Sequence, residues 1–203
     1  MNTTQTKAPE KNATWRIAKI IRVSTVPPIA ALAAFSVFLA TDGFYESIWE
    51  YIAAVAFITL LPVTAYPLQL IIPPFKHQGR EGQRNLAFVM CTLGYILGVV
   101  YGLIFSVGAP IFTMFLTYLL SGTTLLAVNK LFRFKASGHS CGLLGPLAAL
   151  AYFVGPLTLT VSIPLFLLSL WSSVYMKRHT VAQFIVGGLI PVIWLIVCVL
   201  VIL

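Results

Sequence analysis

Three histidines, His77, His139 and His179, stand in short polar stretches between the apolar segments of this 203-residue chain. Lysine and arginine crowd into the same stretches, so each imidazole has cationic neighbours. A neutral imidazole can attack phosphorus, and a protonated one can give a proton to a leaving alkoxide. Lysine and arginine donate hydrogen bonds to phosphate oxygens. Paired around one phosphate, His139 and His179 could therefore carry out phosphoryl chemistry without a metal, whereas an isolated His77 is expected to be solvated.

The residues just before His139 are candidates for binding the anion. They read Lys135-Ala136-Ser137-Gly138-His139, and a helix is predicted to start near residue 140. Backbone N–H groups at a helix start point outward, and the helix dipole there favours negative charge. Ser137 and Gly138 are therefore candidate phosphate-binding residues.

The segments that must position these loops are too apolar for a soluble protein. The chain is 59% apolar and only 9% charged, with a mean hydropathy of +0.95. This composition excludes a disordered chain and leaves too few charges to coat a soluble globule. Unbroken apolar runs predict helices, because a β-barrel would show short segments of alternating polarity. The predicted fold is an all-α polytopic membrane bundle of six to seven transmembrane helices with an interfacial N-terminal helix.

The apolar runs predict seven spans, since a hydrocarbon core about 30 Å thick needs roughly 20 residues of helix. They cover residues 24–41, 48–73, 86–106, 109–128, 141–155, 157–175 and 183–203. The fifth and sixth form one apolar stretch, and Gly155-Pro156 is the best place to fold it into a hairpin. The fifth span is then short, which suits a helix inside the bundle.

Proline and glycine predict two further features of the spans. Pro62 and Pro67 are expected to tilt or kink the second span. Gly94, Gly98 and Gly102 recur every four positions on one face of the third span, a pattern that predicts close helix packing.

The basic residues predict the orientation of the chain. With seven spans, all 13 Lys and Arg residues fall on one side of the membrane, while loop 42–50 on the other side carries three acidic residues. Cytoplasmic loops are enriched in Lys and Arg, so the N-terminus and the histidine loops are predicted to be cytoplasmic in a multi-pass protein of the cell membrane. Topology thus accounts for the formal charge of +8, and no nucleic-acid partner is predicted.

The N-terminal segment has a helical pattern of its own. Arg16, Lys19 and Arg22 recur at helical spacing within residues 13–23, and the apolar residues fall largely elsewhere on the helix. This is typical of a short helix that rests on anionic headgroups. We expect it to anchor the chain and not to take part in chemistry.

Two motifs resemble the type-2 phosphatidic acid phosphatase superfamily. Lys135-Ala136-Ser137-Gly138-His139 is similar to its P-S-G-H motif, with alanine in place of proline. Residues 172–183 resemble its third motif, S-R-x5-H-x3-D, and Trp171-Ser172 and Arg178-His179-Thr180 fit the W-S-R-V-x-x-x-R-H-T-x-x-Q form of a bacterial branch. The resemblance covers roughly residues 76–190. We expect an N-terminal cytoplasmic or interfacial segment, 1–23, followed by a phosphatase-like transmembrane domain, 24–203.

The resemblance implies a role for each matching residue. His179 would be the nucleophile that forms a phosphohistidine, and His139 would protonate the leaving group. Ser137 and Gly138 would bind phosphate. Gln183 stands at the aspartate position, where its carbonyl oxygen could accept the imidazole N–H but could not offer a negative charge.

The remaining charges of the family pattern have several candidates here. Lys76, Arg80 and Arg84 stand where the first motif, K-x6-R-P, should be, and Lys135 is the other candidate for that role. Ser173 occupies the arginine position of the third motif, so Lys177 or Arg178 would have to supply that charge.

The resemblance implies a metal-independent membrane phosphatase that uses no cofactor. Its substrate would be a lipid phosphate or diphosphate of the polyprenyl or phosphatidic-acid type, whose tail stays in the bilayer. The alternative is a non-catalytic lipid-phosphate binding or transport protein that kept the anion site, an interpretation motivated by Ser173 and Gln183. A prenyltransferase is excluded, since those enzymes need aspartate clusters for Mg²⁺–diphosphate and Glu81 is the one acid in these loops.

Overall fold

The computed structural model describes residues 12–203, apart from the side chain of Arg80, so residues 1–11 of the predicted segment 1–23 lie outside the described residues. Within the described residues every regular element is a helix. In chain order the helices are α1 (Ala13–Ser24), α2 (Pro27–Phe38), α3 (Ile48–Ala54), a π-helical segment (Val55–Leu60), α4 (Leu61–Val63), α5 (Ala65–Gln69), α6 (Pro73–Lys76), α7 (Gly79–Phe105), α8 (Ala109–Leu131), α9 (Gly138–Phe153), a 3₁₀ turn (Pro156–Thr158), α10 (Leu159–Tyr175) and α11 (Val181–Ile202).

Five helical segments are long and apolar enough to cross a membrane, and the bent pair α1–α2 raises the number to six if it forms one span. The five are Ile48–Gln69, Glu81–Phe105, Ala109–Leu131, Pro156–Tyr175 and Val181–Ile202. Large apolar side chains such as Leu103 and Leu200 lie exposed on the outside of these helices, where lipid would cover them. The predicted all-α polytopic membrane bundle is confirmed.

Two of the seven predicted spans are not among the helices that are long enough to cross a membrane alone. Within residues 24–41, Pro27 and Pro28 start a new helix, since the residue before a proline is pushed out of the helical region, and Val26 is extended. The resulting α2 has 12 residues, about 18 Å at 1.5 Å per residue, and α1 meets it at 52°. In place of 141–155, α9 has 16 residues, about 24 Å long.

The short α9 lies inside the bundle, as its length predicted. Its Leu143 and Ala149 are fully buried, and it packs against α11, α2 and α10. The hairpin to α10 forms at the predicted place. Gly155 has φ +129° and ψ +165°, a backbone conformation essentially restricted to glycine.

The prolines of the second span change the type of helix. A π-helical segment, Val55–Leu60, comes directly before Pro62, and a turn at Thr64 separates α4 from α5. A proline inside a helix removes one hydrogen bond and its ring crowds the carbonyl four residues earlier. Wider turns before Pro62 relieve that crowding, and the tilt or kink of the span stays a prediction.

The glycine face of α7 allows close helix contact, as predicted. A Cβ on Gly94 would collide with the backbone carbonyl of Phe57, and one on Gly98 or Gly102 would meet a phenylalanine ring of α8. These glycines let α7 lie directly against the second span and α8.

The starts of α2, α9 and α11 come together at one end of the bundle. The start of α2 meets the start of α9, where Gly142 leaves no room for a Cβ beside Pro27. The start of α11 bonds to the residue that precedes α9, through the Gln183 carbonyl and the Ser137 N–H. We call this the histidine end of the bundle. At the opposite end, the Glu50 carboxylate accepts the Gly108 N–H at the start of α8, at 3.0 Å.

Candidate active site

Ser137 caps the first turn of α9 and is fully buried. Its Oγ accepts the Ser140 N–H at 3.2 Å, and its own N–H donates to the Gln183 carbonyl at 2.9 Å. Gly187 of α11 lies so close to the Ser137 backbone that a Cβ would not fit. The Ser137 side chain is thus occupied in the cap, and exposed Gly138 is the part of this turn open to an anion.

His139 is half-buried in that same first turn, ahead of the predicted span that begins at residue 141. Its Nε2 lies 3.0 Å from Thr25 Oγ1 and 3.1 Å from Ser169 Oγ. Thr25 Oγ1 itself donates to the Ile21 carbonyl at 2.8 Å, so it can accept a hydrogen bond from Nε2. This network favours the tautomer with the proton on Nε2.

His179 lies in the connection between α10 and α11, and its Nδ1 is buried with no hydrogen-bond partner. Burial lowers the pKa of His179, and the positive charges of Arg22, Arg84 and Arg178 lower it further, while Gln183 opposes them. The structure therefore favours neutral His179 in the empty site.

The two histidines meet at the histidine end although 40 residues separate them in sequence. Burial lowers the pKa of His139 to about 3, and the charges of Arg22 and then His179 add to the effect. The imidazoles are thus close enough to influence each other's protonation.

Gln183 has a structural role that the sequence analysis did not predict, in addition to its position beside His179. Its carbonyl oxygen accepts the Thr180 N–H at 3.2 Å, and the Thr180 hydroxyl accepts the Gln183 N–H at 3.2 Å. This reciprocal pair is a capping box at the start of α11. The side-chain amide also reaches the Phe134 carbonyl at 3.5 Å. Gln183 therefore fixes the helix start and the loop before α9, and a side-chain hydrogen bond with His179 raises the pKa of that imidazole.

Arg22 and Thr25 of the N-terminal helix enter the site, which the sequence did not predict. Arg22 Nη1 donates to Ser173 Oγ at 2.9 Å, and Thr25 holds His139 as described. The expectation that residues 13–23 only anchor the chain is therefore too narrow. The spacing of positions 18, 22 and 25 could have indicated that one face of this helix packs against the bundle. The sequence does not show which helix it contacts.

The other predicted phosphate ligands lie at different distances from the histidines. Arg84 and Arg178 are exposed and are close enough to His179 to affect its pKa. Lys76 and Lys135 are exposed and are not among the charges that shift either histidine. The Arg80 side chain lies outside the described residues.

An open cavity of about 460 Å³ lies beside His179. The side chains around it come from the α10–α11 connection and the start of α11, among them Lys177, Arg178, His179, Thr180 and Gln183. It is wide enough for a phosphorylated headgroup and is flanked by cations. Among the described residues, no three His, Cys, Asp or Glu side chains group as metal ligands.

Comparison with protein-family models, curated proteins and solved structures finds no match for this chain. The resemblance of its two motifs to the lipid phosphatase superfamily therefore stays a prediction. The function is inferred below from the chemistry that the site residues can perform.

Proposed function

We propose that the protein is an integral membrane phosphatase that hydrolyses a lipid phosphate or diphosphate through a phosphohistidine intermediate. The observation that supports the proposal is that His139 and His179, from separate elements, lie at one end of the bundle near Arg22, with Arg84 and Arg178 also near His179. A nucleophile, a second imidazole and fixed positive charge are the parts that metal-free phosphoryl transfer needs.

In the first step, neutral His179 attacks phosphorus. Its Nδ1 is buried, so Nε2 is the attacking nitrogen. The new N–P bond forms as the P–O bond to the lipid breaks, and the leaving oxygen takes a proton from His139. In the second step water attacks phosphorus, His139 takes a proton from that water, and the N–P bond breaks to release inorganic phosphate.

The first step requires a proton on His139, which burial and Arg22 keep neutral in the empty site. A bound phosphate brings negative charge that offsets Arg22, and nearby negative charge raises the pKa of a histidine. Substrate binding thus favours protonation of His139. His179 stays neutral because Arg84 and Arg178 also lie near it.

The position of the cavity supports a lipid substrate. The cavity beside His179 opens at the end of a bundle whose outer surface is apolar. A headgroup can enter there while its hydrocarbon tail remains in the bilayer. A polyprenyl phosphate, a polyprenyl diphosphate and a phosphatidic acid all satisfy this geometry.

The test is phosphate release by detergent-purified protein from a panel of these three lipids. We expect release by the wild type, with EDTA present and with inhibition by vanadate, and a loss of at least a hundredfold in His179→Ala. The matched control is His77→Ala, which removes an exposed histidine and should leave the rate unchanged. No release from any of the lipids, or equal release by His179→Ala, would contradict the proposal.

One observation favours a second candidate, a non-catalytic lipid-phosphate binding or transport protein. His179 Nδ1 has no hydrogen-bond acceptor, and Gln183, which stands where a carboxylate would orient it, is occupied in the capping box. A histidine without such a partner is a weaker nucleophile. Saturable binding of the same lipids without turnover would support this candidate over the phosphatase.

A further inference from the structure

The N-terminal helix α1 lies along α10 and turns one face toward the site. Ala18 on that face is fully buried, while Ile20 on the other side is 65% exposed. Positions 18, 22 and 25 follow each other at four and three residues, the spacing of a single helix face. Arg22 and Thr25 therefore point toward α10 because the buried Ala18 fixes which face is inward.

Contacts along its length hold α1 in this position. At its start the Tyr175 hydroxyl donates to Asn12 Oδ1 at 3.3 Å, and Asn12 also caps the helix by accepting the Trp15 N–H at 2.9 Å. Near its end Thr25 Oγ1 lies 3.3 Å from Ser169 Oγ. The position of Arg22 between these contacts is defined by the fold.

The half-buried Arg22 guanidinium lies over the C-terminal part of α10, where Nη1 donates to the fully buried Ser173 at 2.9 Å. Three residues later, Thr25 contacts His139 Nε2. Of the charges that act on the two histidines, Arg22 has the largest effect on each. Among the side chains that the structure describes, Arg22 is the one Lys or Arg that lowers the pKa of both imidazoles.

We infer that Arg22 is a phosphate-binding residue, and that α1 completes the active site by holding this guanidinium against the phosphoryl group between His139 and His179. The inference rests on the proposed function and names one of its residues. A planar guanidinium matches phosphate oxygens in a way that a lysine does not. The small Ser173 leaves the space that Arg22 occupies, so neither Lys177 nor Arg178 is required to replace an arginine at position 173.

The experiment compares Arg22→Ala and Arg22→Lys with Arg16→Ala, which removes an exposed arginine of the same helix. Loss of one transition-state donor costs roughly a hundredfold or more in rate, so we expect such a loss in kcat/KM for Arg22→Ala. Arg22→Lys should recover part of it, and Arg16→Ala should stay within about twofold of the wild type. Inhibition by vanadate should weaken in parallel with the loss.

A purely structural role for Arg22 is distinguished by a second measurement. Removing its positive charge raises the pKa of His179, so the acid limb of kcat/KM should move to higher pH in Arg22→Ala and not in Arg16→Ala. Arg22→Ser combined with Ser173→Arg returns a guanidinium to the same place and should recover at least tenfold over Arg22→Ser alone. This swap also decides the case if Arg22→Ala fails to fold.

Equal kcat/KM for Arg22→Ala and Arg16→Ala, or a double variant no better than Arg22→Ser, would overturn the inference. Failure of the proposed function is recognised separately, as absence of release by the wild type. In that event equilibrium binding of vanadate to the intact protein is the readout. Binding that Arg22→Ala loses and Arg16→Ala keeps would support Arg22 as an anion ligand, and equal binding by both variants would refute it.

Discussion

At the scale of single residues, burial and charge set the protonation of the site. The pKa of His139 and that of His179 are both lowered, first by burial and then by the arginine on α1. Both imidazoles are therefore neutral at pH 7 in the empty site, which suits a nucleophile and leaves the acid to be charged by the arriving phosphate. The two histidines are thus both neutral before substrate binds, and they become nucleophile and acid only when the phosphate is bound.

This state predicts the pH dependence of the reaction. Attack requires deprotonated His179, and its pKa lies below the ordinary value of 6.5. We expect the acid limb of kcat/KM, which reports the free enzyme, to lie below pH 6.5 so that activity persists in mild acid. Initial rates between about pH 4.5 and 8 would show this, after ³¹P NMR titration of the substrate is used to correct for its own ionisation. A limb at or above 6.5 would mean that the nucleophile is not in this environment.

At the scale of elements, hydropathy and turn residues predicted most of the bundle. Spans inside α7, α8, α10 and α11 follow from apolar runs, since lipid forces such runs to be helical. Gly155 predicted the position of the hairpin between α9 and α10, because the backbone conformation at this turn is essentially restricted to glycine. The prediction missed the break before Pro27, although the restriction on residues that precede proline was readable in the sequence. Apolar composition alone suggested a continuous helix.

The site was less predictable than the spans, for a physical reason. The histidine loops share one end of the bundle because an even number of membrane spans separates them, and apolar runs in the sequence predict those spans. The contact between Arg22 and Ser173 joins residues 151 positions apart, and it depends on how α1 lies on α10. The capping role of Gln183 was missed, although Thr180 and Gln183 stand at the three-residue spacing of a capping box.

The glycine face of α7 predicts a strong effect of a small substitution. In Gly94→Ala the new methyl group would meet the Phe57 carbonyl, a backbone atom that cannot rotate away. Overpacking of this kind costs about 1–3 kcal/mol. We expect a clear fall in the melting temperature of the detergent-purified protein.

The control for this substitution is Leu103→Ala on the same helix, where the side chain is 66% exposed. It should change the melting temperature little, because no buried contact is lost. If Gly94→Ala is as stable as this control, α7 does not lie against the second span as described.

At the scale of the whole molecule, the bundle separates two ends of different charge. The histidine end carries the arginines of α1, α7 and the α10–α11 connection, and the opposite end carries the acidic loop with Glu46 and Glu50. Positive loops are retained in the cytoplasm. The histidine end is therefore predicted to face the cytoplasm, and the substrate headgroup would be reached from the inner leaflet.

Single cysteines would test this orientation. With Cys91, Cys141 and Cys198 replaced by serine, Lys177→Cys marks the histidine end and Asp42→Cys marks the other, and both positions are exposed. In intact cells a membrane-impermeant maleimide should label Asp42→Cys and spare Lys177→Cys. The opposite pattern would reverse the predicted topology without affecting the chemistry.

The claim on which the whole account depends is that His179 forms a covalent bond to phosphorus next to His139. The most direct measurement is to mix the protein with a ³²P-labelled lipid phosphate, stop the reaction in alkaline detergent and map the label by proteolysis. We predict an acid-labile, alkali-stable label on the peptide that contains His179, present in His77→Ala and absent in His179→Ala. Turnover with no labelled histidine, or a label on a different residue, would contradict the account.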